Sequence, residues 1–346
     1  MATFDLLNLS PHLVSRDLTG YATYIYGEPK SGKTTLASQA GTALIMAFER
    51  GYNALPGVFA VDVTSWSDVR AILRELKKKE VKDKFQSVVF DTIDIAGALC
   101  EKYICAQNGV DKIGEIPYGG GWTLMKKEFE EVLRTVTQLG YAVFLISHAK
   151  DRVFKRQDGT EYNQIVPSCP NTFNEIAKNL VDIYAYSEKY VDEQGNSKVR
   201  LVLRSKDNSI DCGCRFKYIE PVVDMSYQAL VDALNKAIDK EAAETNGQFV
   251  TDERNNLQVA KTYDFDALIT EFNELVSNLM TVDAAVYGPK ITYIVNKFLG
   301  LNKKVSEAPP AQAEIIELIN GEIRDTLFFN NKTEYKTLPL GEFFDF

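Results

Sequence analysis

The sequence predicts an α/β fold, with a mainly parallel sheet covered by helices and a small helical region at its C-terminal end. Three observations predict it. A β-prone run, a glycine-punctuated loop and a helix start follow one another over residues 21–40. Short apolar runs of strand length then alternate with helix-spaced segments as far as residue 150. Beyond about residue 250 the apolar residues recur at helical spacing.

The first strand is Tyr21-Ala22-Thr23-Tyr24-Ile25-Tyr26. The loop after it, Gly27-Glu28-Pro29-Lys30-Ser31-Gly32-Lys33-Thr34, matches the phosphate-binding pattern G-x-x-x-x-G-K-[ST] at every fixed position. Its glycines let the backbone curl so that successive N–H groups face phosphate oxygens. Lys33 brings positive charge to the β- and γ-phosphates, and the Thr34 hydroxyl is placed to ligate Mg²⁺. The helix that starts at Thr34-Thr35 adds its positive dipole end to the same place.

Further strands are expected at 42–48 and 58–63. Residues 67–79 carry Val69, Ile72, Leu73 and Leu76 at amphipathic spacing, and Lys77-Lys78-Lys79 suits the helix C-terminus. Ser87–Asp91 is a β-prone run ending in a carboxylate. Residues 122–136 place Met125, Phe129, Val132, Leu133 and Val136 on one helical face, and Tyr141–Ser147 is another buried strand. From 151 the pattern changes. Residues 151–172 read as a long polar loop, and 180–187 with 198–203 as a hairpin, with a further strand at 215–219.

The domain reading is a core over 1–240, a linker at 241–250, a helical region over 251–327 and an acidic-aromatic tail at 328–346. In the helical region Phe265, Leu268, Ile269, Phe272, Leu275, Val276 and Leu279 share a face. Pro289 opens a second helix that stops at Gly300, and a third runs from about Ala311 to Leu327.

With 346 residues, 45% hydrophobic and 25% charged, the chain has ordinary globular composition. It carries no apolar run long enough to span a bilayer and no signal-peptide pattern, so no membrane partner is expected. Cys100, Cys105, Cys169, Cys212 and Cys214 are scattered, which fits reduced thiols and a cytoplasmic location. A net charge of −9 argues against coating DNA by bulk charge and leaves a local basic groove open.

Around the phosphates, Asp91 ends an apolar strand where a carboxylate holds Mg²⁺; the alternative is a cap on the next helix. Asp94, one turn on, reads as a helix-start charge. Glu49 is either a base facing the γ-phosphate or a surface acid paired with Arg50. His148 follows Ser147 at a strand end, as a γ-phosphate sensor or a plain polar residue. Arg204 and Lys206 end a hairpin strand on one side of it, as edge charges or as fingers reaching a neighbouring subunit.

Together these residues resemble the RecA-like ATPase core. They are most similar to phage-encoded, Sak-type annealing or recombination ATPases, also grouped as an AAA-type phage nucleotide-binding family. Residues 27–34 resemble Walker A and Asp91 resembles Walker B. Residues 46–51 resemble the strand end that carries the family's catalytic glutamate, here Glu49. Ser147-His148 stands where a polar sensor is expected, and Arg204 with Lys206 where paired cations contact ATP across a subunit interface. The resemblance covers about residues 15–235. It implies an Mg²⁺-dependent ATPase, a homo-oligomer and action on single-stranded DNA. Loops near Tyr118–Trp122 and 151–172 would face that DNA, with Trp122 or Phe154 stacking on bases and Lys150, Arg152, Lys155 and Arg156 meeting phosphates. The tail residues 341–346 resemble acidic tails by which single-strand binding proteins recruit partners. The rival reading is a nucleotide-gated loader or adaptor that binds a replication protein rather than DNA.

Overall fold

The computed structural model describes residues 9–254 and 263–331, with side chains through Asp325. Two compact units divide the chain, one of Ser10–Ala260 and one that includes Lys261–Phe346.

In chain order the first unit carries β1 (Val14–Ser15), β2 (Thr23–Gly27), α1 (Lys33–Ala37), β3 (Ala43–Ala47), β4 (Phe59–Asp62), α2 (Trp66–Leu76), α3 (Lys79–Lys84), β5 (Ser87–Asp91), α4 (Ile93–Gln107) and α5 (Gly120–Gln138). It continues with β6 (Ala142–Lys155), β7 (Glu161–Pro167), α6 (Asn171–Leu180), β8 (Ile183–Val191), β9 (Ser197–Val202), β10 (Gly213–Cys214), β11 (Val222–Asp224), α7 (Tyr227–Ala243) and β12 (Val250–Thr251). Strands β8, β2, β6, β5, β3 and β4 lie side by side in that order and are parallel. The sheet extends antiparallel through β9 and β11. This is the mainly parallel, helix-covered sheet that the alternation predicts and the RecA-like P-loop architecture that the resemblance implies, with helices at the C-terminal end of the chain.

Both sheet faces are covered, which is why the strands read as nearly continuous apolar runs. One face buries Tyr24, Tyr26, Val88 and Phe90 against Trp66, Phe129 and Phe173. The other buries Ile25, Ile45, Val89 and Phe144 against Leu36, Leu230 and Leu234. Alternate residues of each strand thus serve opposite layers. Helix α2 starts on a capping box, in which Ser65 accepts from the Asp68 amide and Asp68 accepts from the Ser65 amide. The register sets Gly27 beside His148 on β6 and beside Ser187 on β8, and sets Asp91 beside Ala47. Polar groups therefore gather toward the C-terminal ends of the parallel strands, where ligands bind in such folds. Gly27 is required there, because a Cβ would lie 2.5 Å from the Ser187 carbonyl oxygen.

The structure corrects several expectations. Residues 151–172 do not form a long loop. Strands β6 and β7 pair antiparallel from Ala149↔Pro167 to Lys155↔Glu161, with a turn through Gly159. Alternating side chains sustain this ladder despite their polarity. Ser147-His148 therefore lies within β6 rather than at its end. Residues 215–219 are not a strand; the short strand there is Gly213–Cys214, antiparallel to β8. Strand β9 stops at Val202, so Arg204 and Lys206 lie in a loop and strand alternation does not apply to them. That loop is folded on itself, with Asp207 accepting from the Ser209 amide and from the Ser205 and Ser209 hydroxyls. The stretch read as a linker at 241–250 belongs to the first unit. Helix α7 runs through Ala243, and Val250 pairs in parallel with Val14.

The second unit contains α8 (Phe265–Leu299) and α9 (Ala313–Asn331). Leu279, Tyr287, Ile291 and Ile294 pack with Ile316, Ile319 and Ile323. Helix α8 is bent at Asp283, whose backbone leaves helical geometry at φ −163° and ψ 97°. The Asp283 carboxylate accepts from the amides of Ala285 and Val286, so it caps the second segment. Pro289 accordingly sits inside that segment rather than opening it. The segment ends at Gly300, with φ +98°. Residues 332–346, most of the expected tail, lie outside the described residues. No helix of the described residues is long and apolar enough to cross a membrane.

Candidate active site

The loop between β2 and α1 is curled by positive φ at Lys30 (60°) and Gly32 (86°). Lys30 is a non-glycine residue in the left-handed region, a conformation that costs about 1–3 kcal/mol and clusters at functional sites. Two residues of β8 brace the loop. Ser187 Oγ donates to the Ser31 carbonyl at 3.2 Å. Lys189 Nζ donates to the Pro29 carbonyl at 2.9 Å and lies 3.1 Å from Glu28 Oε2. Glu28, Pro29 and Lys30 are exposed, Ser31 is buried, and Thr35 is exposed on the first turn of α1.

Lys33 is buried, and its Nζ donates to the carbonyls of Gly27 (3.0 Å) and Glu28 (2.7 Å). Burial pushes its ammonium down to about 8, against the pull of Asp91, Glu49 and Asp94, which favour the charge. Burial leaves this charge poorly solvated, so it gains from an arriving phosphate.

The Thr34 hydroxyl donates to Asp91 Oδ2 at 2.7 Å. Asp91 is 2% exposed, and burial raises its carboxyl; the Thr34 hydrogen bond and Lys33 oppose this, while Glu49 adds to it. A hydroxyl and a carboxylate side by side suit a hard cation such as Mg²⁺, which takes few protein ligands and completes its shell from waters and phosphate oxygens. Among the described residues no group of three or more His, Cys, Asp or Glu forms a metal cluster. The space beside the pair is kept by Gly51, where a Cβ would meet Thr34 Oγ1 at 3.0 Å and Asp91 Oδ2 at 3.1 Å. The residues present therefore fit the ion.

The amides of Phe48 and Glu49 donate to the Asp91 carbonyl at 2.8 and 3.2 Å, which carries the chain after β3 across the end of β5. Glu49 Oε1 then lies 3.0 Å from His148 Nε2. His148 Nδ1 is buried with no hydrogen-bond partner among the described residues. Arg50 turns the other way, 3.5 Å from Asp62, so Glu49 is not its partner.

Thr34, Asp91, Glu49 and His148 are thus linked in one site with Lys33. Arg204 and Lys206 are not brought to it within the chain. Arg204 Nη2 donates to the Phe216 carbonyl at 2.6 Å, and Lys206 is exposed. Sequence reasoning missed Gly51, Ser187 and Lys189. A glycine just past a candidate acid is a usable signal for Gly51. The β8 residues carry none, since only sheet order brings them to the loop.

The family model described as an AAA domain matches residues 19–216, more than half of the chain and all of this site. The SPbeta prophage-derived uncharacterized protein YorG of Bacillus subtilis (strain 168) is 24% identical over 330 residues, which cover 93% of this chain and 98% of that protein.

Proposed function

This chain belongs to the AAA domain family, and from that premise we propose that it is a magnesium-dependent ATPase acting on single-stranded DNA in phage recombination or replication, by annealing or strand exchange in the Sak-type manner. The observation that carries the hydrolytic part is the pairing of two contacts at the C-terminal ends of the parallel strands: Thr34 with Asp91, and Glu49 with His148.

In this reading the P-loop amides and Lys33 hold the β- and γ-phosphates. Thr34 and Asp91 would hold Mg²⁺, which would supply positive charge to neutralise the phosphates. Glu49 accepts a proton from a water as that water's oxygen bonds to the γ-phosphorus. The bond from phosphorus to the bridging oxygen breaks, and ADP and phosphate leave. His148 holds Glu49 in place. In an oligomer, Lys206 would reach a neighbour's nucleotide; Arg204 would first have to leave the Phe216 carbonyl.

Support for single-stranded DNA comes from the β6–β7 hairpin. Phe154 and Tyr162 stack at 5.7 Å, with Arg152 over the first ring and Arg156 over the second. Aromatic faces bordered by cations suit unpaired bases and their phosphates. The prophage origin of the relative supports the phage setting.

The test is ATP hydrolysis with and without single-stranded DNA, with Lys33→Ala as control. DNA-stimulated turnover that vanishes in the control is expected. Turnover indifferent to DNA overturns the DNA part and favours the loader or adaptor, for which the separate core of the α8–α9 unit offers a docking module.

A further inference from the structure

We propose that Asp94 and Ser168 are positioning residues that tie the root of the β6–β7 hairpin to the nucleotide site and so hold His148 against Glu49. The inference rests on the ATPase reading and adds the regulation of that site.

Ser168 follows β7 and uses all three of its polar groups. Its amide donates to the His148 carbonyl at 2.9 Å. Its hydroxyl donates to Asp94 Oδ1. Its carbonyl accepts from Lys150 Nζ at 3.0 Å. Asp94 lies in the first turn of α4, three residues past Asp91. Its second oxygen, Oδ2, is buried with no hydrogen-bond partner among the described residues. A carboxylate in that position depends on the Ser168 hydroxyl, because leaving a buried acceptor unpaired is costly. The next residue, Cys169, is buried and touches the Tyr24 hydroxyl at 3.4 Å, so the chain after Ser168 is anchored under the sheet.

These contacts close a ring. Thr34 reaches Asp91, whose carbonyl accepts the Glu49 amide. Glu49 reaches His148, and the His148 carbonyl accepts the Ser168 amide. Ser168 reaches Asp94, which returns through α4 to Asp91. A shift of the hairpin root must therefore move His148 relative to Glu49 or break the contact with Asp94. Nucleotide that draws on Glu49 is felt at the hairpin, and a ligand on the hairpin is felt at Glu49. Asp94 is more than a helix-start charge, and its sequence gives no sign of this, because Ser168 is 74 residues away.

The experiment compares the parent chain with Ser168→Ala, Ser168→Thr and Asp94→Ala. Amide hydrogen exchange of residues 149–167 is followed without nucleotide, with Mg²⁺-ADP and with a non-hydrolysable Mg²⁺-ATP analogue. In the parent, exchange of the hairpin differs by about threefold or more between ADP and the analogue. Ser168→Ala and Asp94→Ala, which removes the acceptor, lose that difference while binding both nucleotides about as tightly as the parent, and Ser168→Thr, which keeps a hydroxyl, restores it. A parent whose hairpin exchange ignores the nucleotide, or alanine variants at positions 168 and 94 that keep the parental response, overturns the proposal. Exchange needs neither turnover nor DNA, so failure of hydrolysis in the parent would count against the ATPase reading separately. If Ser168→Ala does not fold, Asp94→Ala decides alone.

Discussion

Glu49 and His148 meet at 3.0 Å although β5 lies between the strands that carry them. The chain leaving β3 reaches over the end of β5 by donating the Phe48 and Glu49 amides to the Asp91 carbonyl. Glu49 is thereby fixed at its backbone by the strand that carries the candidate metal ligand and at its side chain by β6. Such a base should be separable from binding. Glu49→Gln is expected to lower kcat by about 10²–10⁴-fold with nucleotide affinity little changed. His148→Ala should lower kcat less, because the carboxylate remains. Steady-state hydrolysis beside equilibrium nucleotide binding measures both, and an unchanged kcat in Glu49→Gln assigns the base elsewhere.

Gly51 offers a test of the metal position. A Cβ at this residue would crowd Thr34 Oγ1 and Asp91 Oδ2 at 3.0 and 3.1 Å. Gly51→Ala should therefore reduce the gain in nucleotide affinity that Mg²⁺ brings, while affinity in the presence of a chelator stays at the parental value. Titrations of a fluorescent nucleotide with Mg²⁺ and with EDTA compare the two. An undiminished Mg²⁺ gain would show that the ion does not use this space.

How much of this was legible depended on sequence distance. The P-loop was readable because its eight residues do their work within one turn of chain, and Asp91 because an apolar strand ending in an acid is a local pattern. The 151–172 stretch misled because its hydrophobicity is low: Arg152, Phe154, Arg156, Tyr162 and Gln164 share a hairpin face on which polar and aromatic side chains replace the usual apolar alternation. Arg204 and Lys206 misled for a different reason, since alternation holds only while the strand lasts, and β9 ends two residues too soon. Lys189 and the Asp94–Ser168 pair had no local signal at all. Their roles follow from strand order, which a single sequence does not state.

The hairpin makes a quantitative prediction for DNA. Arg152 stands 4.8 Å over Phe154, and Arg156 stands 4.7 Å over Tyr162. Phe154→Ala should cost about 1–3 kcal/mol of single-stranded DNA affinity if a base stacks there. Arg152→Ala should weaken binding and reduce the slope of log K against log salt by roughly one contact's share, about 0.7. Fluorescence anisotropy of a labelled oligodeoxythymidine across a salt series reads both. Parental affinity in Phe154→Ala would remove the hairpin from the DNA path.

Asp182 carries a pH prediction. It accepts the Ala22 amide at 3.0 Å at the start of β8, and burial raises its carboxyl above the ordinary range, opposed by that amide and by Arg215. A raised carboxyl means that the fold favours the protonated form. Its stabilising contribution is present below the unfolded value, 3.8, and is lost as pH rises through the folded value. Asn at this position keeps an acceptor for Ala22 without the charge. Asp182→Asn should therefore raise Tm at about pH 8, and the gain should shrink as the pH approaches about 4. The Arg215 contact at 3.5 Å is lost in the variant, but that arginine is mostly exposed and the pair is worth at most ~1 kcal/mol. A Tm difference that is constant with pH would contradict the assignment.

Two helix glycines should respond to alanine with opposite sign. In a helix interior, glycine is worse than alanine by roughly 0.5–1 kcal/mol, so the substitution ordinarily stabilises. Gly288 in α8 meets that condition: the nearest atom to a Cβ there is Met280 Sδ at 3.8 Å, ordinary contact distance. Gly97 in α4 does not. A Cβ would lie 2.5 Å from Cδ2 and Cε2 of Phe173, a ring that is 1% exposed and also packs against Phe129 at 4.6 Å. The ring has no open space to turn into, and overpacking of this kind costs typically about 1–3 kcal/mol, more than the helix gain. Gly97→Ala should lower Tm and Gly288→Ala should raise it or leave it slightly higher, as measured by thermal unfolding of each single variant. Relief should come from the partner side: Phe173→Leu, destabilising alone, should lose less when combined with Gly97→Ala than the sum of the two changes. Strict additivity of the pair would mean that the close approach of α4 and α6 does not limit this layer of the core.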